Sequence, residues 1–200
     1  MLNRRNTARD LAQVAIFAAL IAALGLPGSI SVGSTAVPIT FQTLGVMLTG
    51  GILGARKGFL AVLLFNVLTI AGLPLLSGGR GGIAWYTISP SAGYPYGWLL
   101  GVLFIGYFTA RILSKYPLWA ALTITAIGGI VVIYAVGVPV TAINAGLPLW
   151  GALVDSLKFL PGDAVKVVVA VLVAKQVHRA YPDLMGARKT FAPVDTDVRV

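Results

Sequence analysis

Six apolar stretches, each close to the length that crosses a lipid bilayer, dominate this 200-residue chain. A helix that crosses the hydrocarbon core of about 30 Å needs roughly 20 apolar residues. The six stretches lie at residues 8–26, 37–53, 58–75, 92–113, 118–138 and 160–177. Charged residues make up only 10% of the chain, against about 25% in soluble domains. The sequence therefore predicts an all-α integral membrane protein with six transmembrane helices.

The positions of the basic residues support this count. Six crossings place both termini, the second-to-third turn and the fourth-to-fifth turn on one side of the membrane. Of the fifteen lysines and arginines, all but Arg80, Lys158 and Lys166 fall in those segments. Because basic segments stay on the cytoplasmic side, we predict that both termini are cytoplasmic. The net charge of +9 comes from short clusters between apolar runs, so no nucleic-acid partner is expected.

The chain shows no internal domain break. Residues 1–180 are expected to form one transmembrane domain, and residues 181–200 a basic cytoplasmic tail. The first apolar stretch has the basic start and small residues of a secretory signal. It exceeds the roughly 7–15 apolar residues of such signals, however, and five further spans follow it.

The chemical inventory argues against an enzyme. The chain has no cysteine, no glutamate, six aspartates and a single histidine, His178. An intramembrane enzyme needs paired acids or a nucleophile with a base, and these residues offer almost none. No glycine-rich phosphate-binding motif occurs. We therefore predict a non-enzymatic protein without a cofactor or metal.

Two charged residues in the last apolar stretch are the leading candidates for ligand binding. Asp163 and Lys166 lie three apart, which places both side chains on one face of a helix. In lipid, each such charge costs roughly 2.5–3.5 kcal/mol at a helix centre. A pair retained at that cost indicates a functional role. The alternative is an ion pair that merely neutralises itself.

Two further polar residues lie at the predicted outer end of the bundle. Arg80 is the one charge in a glycine-rich outer loop at residues 72–94, and a guanidinium can bind a carboxylate through two hydrogen bonds. Taken alone, the loop favours a flexible connector with a solvated arginine. Gln42 brings an amide to the start of the second span, where ligand contact and helix–helix hydrogen bonding are both open. Helix capping accounts for Thr40.

Two other patterns have mainly structural interpretations. Asp155 and Lys158 repeat the three-residue spacing before the last span, which predicts an exposed ion pair on a short amphipathic helix.

Alanines recur every fourth position in the first span, including Ala15 and Ala19. Small residues at this spacing allow close helix packing. The packing partner is either this bundle itself or another membrane protein.

Four ordered motifs resemble the BioY family. They are Val-Pro-Ile-Thr-Phe-Gln-Thr-Leu at 37–44, Gly-Leu-Pro at 72–74 followed by Gly-Gly-Arg-Gly-Gly at 78–82, Ser-Pro-Ser-Ala-Gly-Tyr at 89–94, and Pro-Gly-Asp-Ala-Val-Lys at 161–166. BioY proteins are the biotin-binding S components of energy-coupling-factor (ECF) transporters. The resemblance extends over nearly the whole chain and leaves out the tail after residue 180.

The resemblance implies a compact six-helix bundle in a prokaryotic inner membrane, with a biotin pocket that faces outward. It also implies a membrane partner, the T component, and two ABC-type ATPases that supply the energy. By the same resemblance, Asp163 and Lys166 contribute to biotin binding. Ala15 and Ala19 map onto the first-helix surface that meets the T component.

Biotin has an apolar bicyclic body and chain, a ureido group that donates and accepts hydrogen bonds, and one carboxylate. Small-molecule pockets combine apolar and aromatic lining with a few polar groups. Trp85, Tyr86 and Tyr94 can supply the aromatic lining, and Asp163 can accept ureido N–H bonds. Either Lys166 or Arg80 can hold the carboxylate. The alternatives are an S component for another vitamin and a purely structural membrane adaptor.

Overall fold

The structure, a computed structural model, describes residues 4–27, 30–31, 37–182 and 184–185. Eight α-helices, a two-stranded hairpin and two short non-α helical turns make up the described part. Most of the predicted tail at 181–200 lies outside the described residues. The helices are α1 (Arg4–Ala23), α2 (Gln42–Ile70), α3 (Ile83–Ile88), α4 (Gly93–Ile112), α5 (Leu118–Ala126), α6 (Ile133–Ala145), α7 (Leu149–Ser156) and α8 (Leu160–Ala180). The strands are β1 (Ile30–Ser31) and β2 (Pro38–Ile39), which pair antiparallel.

Helix α2 is a helical hairpin rather than one straight helix. Its backbone breaks at Gly54, where φ is 78° and ψ is −179°, a conformation that favours glycine. The Gln42 side chain at one end donates a hydrogen bond to the Leu75 carbonyl, just beyond the other end, at 3.0 Å. The chain therefore reverses at Gly54. The two arms are the second and third predicted spans, and the predicted turn between them is confirmed.

The fifth span is longer than predicted. Helices α5 and α6 join through a π-helical segment, Ile127–Val132, into one stretch that ends at Ala145. The prediction that this span ends at Val138 is wrong, because Pro139 lies inside α6 without ending it. A proline removes one backbone donor but is tolerated in membrane helices. The actual stop is Gly146, whose left-handed backbone (φ 65°) caps the helix.

Six helical crossings result: α1, the two arms of α2, α4, the α5–α6 stretch and α8. Within the described chain, two helical stretches meet a criterion of length and hydropathy for crossing a membrane, Gln42–Ile70 and Leu118–Ala145. The first of these contributes two crossings through its reversal at Gly54. The predicted all-α architecture with six transmembrane helices is confirmed.

Glycines allow α4 to approach its neighbours closely. A Cβ at Gly97 would lie 2.8 Å from the Ile133 carbonyl oxygen of α6, and one at Gly101 would lie 2.7 Å from the Gly128 carbonyl oxygen. Real Cβ atoms do not come this close to backbone atoms. These two glycines therefore serve close packing inside the bundle.

Gly106 makes the tightest contact of α4. A Cβ there would lie 2.3 Å from the Ala55 backbone nitrogen, which belongs to the α2 turn. We expect Gly106→Ala to lower the free energy of unfolding by about 2 kcal/mol or more, since neither backbone can move without breaking the turn. Thermal unfolding of the purified protein in detergent measures this. Gly151→Ala is the matched control, because its nearest neighbour, Pro148 Cγ, lies 3.4 Å away. Equal losses in both variants would contradict the expectation.

Both ends of the described chain meet at the Gly54 end of the bundle. Lys57, just after the turn, lies 3.4 Å from the Asp10 carboxylate in α1 and 2.5 Å from the Leu184 carbonyl oxygen beyond α8. The two termini therefore share one end, as the charge pattern predicts. The opposite end carries the hairpin, the glycine-rich loop and α7.

Two local predictions need correction. The second predicted span begins at residue 37, but Pro38 belongs to β2, and α2 begins at Gln42. The Thr40 hydroxyl still accepts a hydrogen bond from the Gln42 backbone N–H at 3.3 Å. The short amphipathic helix is present as α7. Its Asp155–Lys158 ion pair (2.7 Å) is only 12–13% exposed, because the Lys158 ammonium lies over the Phe159 ring.

Candidate ligand-binding site

A cavity opens at the loop end of the bundle. Its empty space, which includes open solvent at the mouth, amounts to about 570 Å³. The hairpin, the start of α2, the glycine-rich loop and helices α3, α4, α6 and α8 contribute to it. Its lining comprises Val37, Pro38, Ile39, Thr40, Gln42, Thr43, Leu76, Ser77, Arg80, Trp85, Ser91, Tyr94, Pro95, Trp98, Tyr134, Phe159, Asp163 and Lys166.

Asp163 and Lys166 lie at the wall of this cavity and bond to each other. The Lys166 ammonium donates to Asp163 Oδ1 at 2.7 Å, and both side chains are less than 10% exposed. Pro161 and Asp163 lie in the first turn of α8, where the helix dipole stabilises negative charge. The pair predicted from spacing therefore forms, and it borders the cavity.

Two residues that the sequence did not single out complete this polar network. The Tyr134 hydroxyl donates to Asp163 Oδ2 at 2.7 Å, and Lys166 donates to the Thr43 hydroxyl at 3.0 Å. Each Asp163 oxygen thus accepts one bond and retains one acceptor position, while the ammonium retains one N–H. The network is fixed in place with capacity left for a polar ligand.

Gln42 links three parts of the protein at the cavity edge. Its amide nitrogen donates to the Ile21 carbonyl of α1 (3.3 Å) and to the Leu75 carbonyl (3.0 Å). Its oxygen accepts from the Ser77 backbone N–H at 3.0 Å. Both donors are therefore used within the protein. Of the two roles that the sequence left open, helix-to-helix bonding is present, and only one acceptor position remains for a ligand.

Arg80 reaches the cavity from the glycine-rich loop. Its Nε donates to the Ser77 carbonyl at 2.8 Å, and Gly78 and Gly79 adopt positive φ angles in the tight turn that presents it. Burial lowers the pKa of the guanidinium below its usual 12.5, but arginine stays charged at neutral pH. The structure shows no hydrogen bond from its terminal nitrogens to other described residues. Arg80 is thus positioned to bind an anion.

Aromatic side chains form much of the remaining wall. Tyr94 packs edge-to-face against Tyr134 and Phe159, with centroid distances of 6.1 Å in both cases. Trp85 also lines the cavity, as predicted from the sequence. Tyr86 does not: its hydroxyl donates to Asn66 Oδ1 at 2.7 Å, and its ring is 2% exposed behind Trp85.

Trp98 is a further wall residue that the sequence did not indicate. Its side chain is 4% exposed and packs against Phe65. Its indole N–H is buried and has no hydrogen-bond partner among the described residues. Buried donors of this kind are rare in folded proteins. An acceptor on a bound molecule could satisfy it.

The outer surface of α1 carries the predicted alanine face. Ala15 and Ala19 are exposed, whereas Val14, Ala18 and Ile21 on the opposite face are buried against the bundle. These two alanines therefore do not serve internal packing in the isolated chain. They remain available to another membrane helix.

The arrangement is suited to binding rather than to acid–base chemistry. The one carboxylate in the cavity is held by a lysine and a tyrosine, and the described residues contain no group of three or more histidine, aspartate or glutamate side chains that could hold a metal.

A model of the "BioY family" matches residues 1–183. The chain belongs to the BioY family. The resemblance seen in the four motifs is confirmed.

Individual BioY relatives agree with this assignment. The chain is 47% identical to the "Biotin transporter BioY" of Rhizobium etli, with 90% of this chain and 98% of the relative covered. It is 43% identical to the protein of the same name from Rhodobacter capsulatus, with 90% and 98% covered. It also resembles a crystal structure described as the S-component for biotin from an ECF-type ABC transporter. That match has a TM-score of 0.85 and 31% identity, and covers 90% of this chain and 95% of the other.

Proposed function

We propose that this chain is the biotin-binding S component of an ECF-type transporter in a prokaryotic cell membrane. The observation that carries this is the Asp163–Lys166 pair at the wall of a cavity lined by polar and aromatic side chains, in a BioY family member. Relatives named biotin transporters and a structural match to a biotin S component support the same ligand. They also point to transport rather than to catalysis.

The two ends of biotin match two polar regions of the cavity. The ureido group donates and accepts hydrogen bonds, which suits Asp163 and Lys166 together. The Arg80 guanidinium at the loop side of the cavity suits the carboxylate of the valeryl chain. The bicyclic body would then lie against Tyr94, Trp85 and the other aromatic rings. Tyr86 supports this wall from behind and is not proposed to touch the ligand.

The proposed partners are a T component and two ABC-type ATPases. The ECF type of the structural relative supports this assembly, and the exposed Ala15 and Ala19 offer α1 as the surface for the T component. We further propose that the termini are cytoplasmic and that the cavity opens outward. The shared end of both termini and its basic residues support this orientation. Residues 1–180 are proposed as the ligand-binding membrane domain, with 181–200 as a cytoplasmic tail.

Direct binding measurements test the proposed ligand. The purified chain in detergent is expected to bind radiolabelled biotin in equilibrium dialysis. A hundredfold excess of unlabelled biotin should displace the label, while the same excess of thiamine or riboflavin should not. Displacement by another vitamin, with biotin ineffective, would assign the site to that vitamin. Failure to bind any of them would favour a structural adaptor.

Trp98 provides a second, finer prediction. If its indole N–H bonds an acceptor on biotin, Trp98→Phe should weaken binding about fivefold to tenfold, since one hydrogen bond contributes about 1 kcal/mol. The phenyl ring keeps most of the packing against Phe65. Trp119→Phe is the matched control, because Trp119 is 74% exposed and does not line the cavity. Equal affinity in both variants would exclude a bond from Trp98. Isothermal titration calorimetry gives the affinities.

A further inference from the structure

A second cavity lies at the opposite end of the bundle, where both termini meet. It encloses about 1190 Å³, including open solvent. Arg9 and Asp10 of α1 line it together with Arg56 and Lys57 from the α2 turn. Its floor is apolar and includes Leu53. A basic rim over an apolar floor distinguishes it from the biotin site.

The charges of the described residues that line this cavity do not cancel. The Lys57 ammonium donates to the Gln13 side-chain oxygen at 2.7 Å and pairs with Asp10 at 3.4 Å. Asp10 is the one carboxylate among the described lining residues, and Lys57 neutralises it. Arg9 and Arg56 are exposed, and neither has a hydrogen bond or ion pair to a side chain in the described part of the chain. Among the described residues, these two positive charges at the cavity have no counter-charge.

An apolar groove continues from this cavity along α4. Ala55 and Tyr107 line both, and the groove extends past Phe104 to Leu100 and Val132. From Tyr107 to Leu100 the helix rises by roughly 10 Å. That is most of one leaflet of a hydrocarbon core about 30 Å thick. The groove therefore leads from the charged end of the bundle toward the bilayer centre.

We propose that the cavity and groove together bind one anionic phospholipid of the leaflet next to the termini. Its phosphate lies between Arg9 and Arg56, and one acyl chain follows the groove toward Leu100. Basic pockets between membrane helices are suited to such headgroups. Free phosphate would use the arginines but leave the groove empty. Ala55 and Tyr107 line both the cavity and the groove. This continuity favours a molecule that has both an anionic headgroup and an acyl chain.

Native mass spectrometry of the purified chain in mixed micelles tests this lipid site. The wild type is expected to bind one phosphatidylglycerol at least about fivefold more tightly than phosphatidylcholine. Removing each arginine should weaken phosphatidylglycerol binding about fivefold, so Arg9→Gln and Arg56→Gln should each have this effect and the double variant a larger one. Both side chains are exposed, so the variants should fold.

The control removes two charges elsewhere at the same end. Lys115→Gln with Arg179→Gln changes two exposed residues outside the cavity and should leave phosphatidylglycerol binding unchanged. Inorganic phosphate at matched concentration should not displace the lipid. Equal binding of the two lipids by the wild type would overturn the proposal. So would unchanged phosphatidylglycerol binding in the Arg9/Arg56 double variant, or displacement by phosphate.

Discussion

Asp163→Asn is expected to weaken biotin binding by at least tenfold, or about 1.4 kcal/mol. Asn keeps the shape of the side chain but offers one acceptor oxygen instead of two charged ones. The amide NH2 then faces either Lys166, which loses its bond, or Tyr134, whose hydroxyl must accept instead of donate, and the ureido N–H loses a charged acceptor. Charge-assisted hydrogen bonds are roughly twice as strong as neutral ones. Isothermal titration calorimetry on purified protein measures the change.

The chain contains its own matched control for this variant. Asp155 and Lys158 form an ion pair with the same spacing and the same 2.7 Å distance, but neither lines the cavity. Asp155→Asn should therefore leave biotin affinity within about twofold of the wild type. If Asp163→Asn also kept its affinity, Asp163 would be excluded from the binding site.

A double variant separates ligand binding from self-neutralisation of the pair. Asp163→Asn leaves the buried Lys166 charge without its partner, which can cost about 3–5 kcal/mol of stability. Adding Lys166→Gln removes that charge and should restore much of the thermal stability. Biotin binding should stay weak if the pair holds the ligand. Recovery of both stability and affinity would show that the pair only neutralises itself.

Ala15→Trp with Ala19→Trp should reduce biotin uptake at least tenfold in cells that contain the partner subunits. Two indoles on an exposed helix face would hold a partner helix away from a surface made for close contact. Biotin binding to the purified chain should be unchanged, because neither residue lines the cavity. Cellular uptake of radiolabelled biotin and binding to purified protein are measured side by side.

Ala135→Trp is the control for this prediction. Ala135 is exposed on α6, outside the proposed α1 surface, so the substitution should leave both uptake and binding near wild-type values. Normal uptake in the Ala15/Ala19 double variant would exclude α1 as the partner surface. A similar loss of uptake in the Ala135 variant would show that added bulk in the membrane, and not a blocked α1 surface, lowers uptake.

The sequence could predict the charged part of the candidate site because charges stand out in an apolar stretch. Asp163 and Lys166 lie on one helical face, and the structure places both at the cavity. Gln42 and Arg80 were found for the same reason, as polar groups at the ends of apolar spans. Which of Lys166 and Arg80 holds the carboxylate depends on the position of the ligand, and helical spacing does not determine it.

The aromatic part of the site was less predictable. Tyr134 lies within an apolar span, where a tyrosine that faces lipid and one that faces a cavity give the same pattern. It is the second residue after the π-helical segment Ile127–Val132, which departs from the period of 3.6 residues used to assign faces. Trp98 lies in the apolar helix α4, where a tryptophan that faces lipid gives the same pattern, so the sequence did not indicate it. Trp85 and Tyr86 are adjacent on α3 and point in different directions, so only Trp85 reaches the cavity.

The structure of the chain with biotin bound tests the central claim most directly. We predict that the Asp163 carboxylate, the Lys166 ammonium, or both lie within hydrogen-bonding distance of the ligand, in the cavity bordered by Tyr94 and Trp98. A complex in which the pair contacts only Tyr134, Thr43 and each other, with biotin held elsewhere, would contradict it.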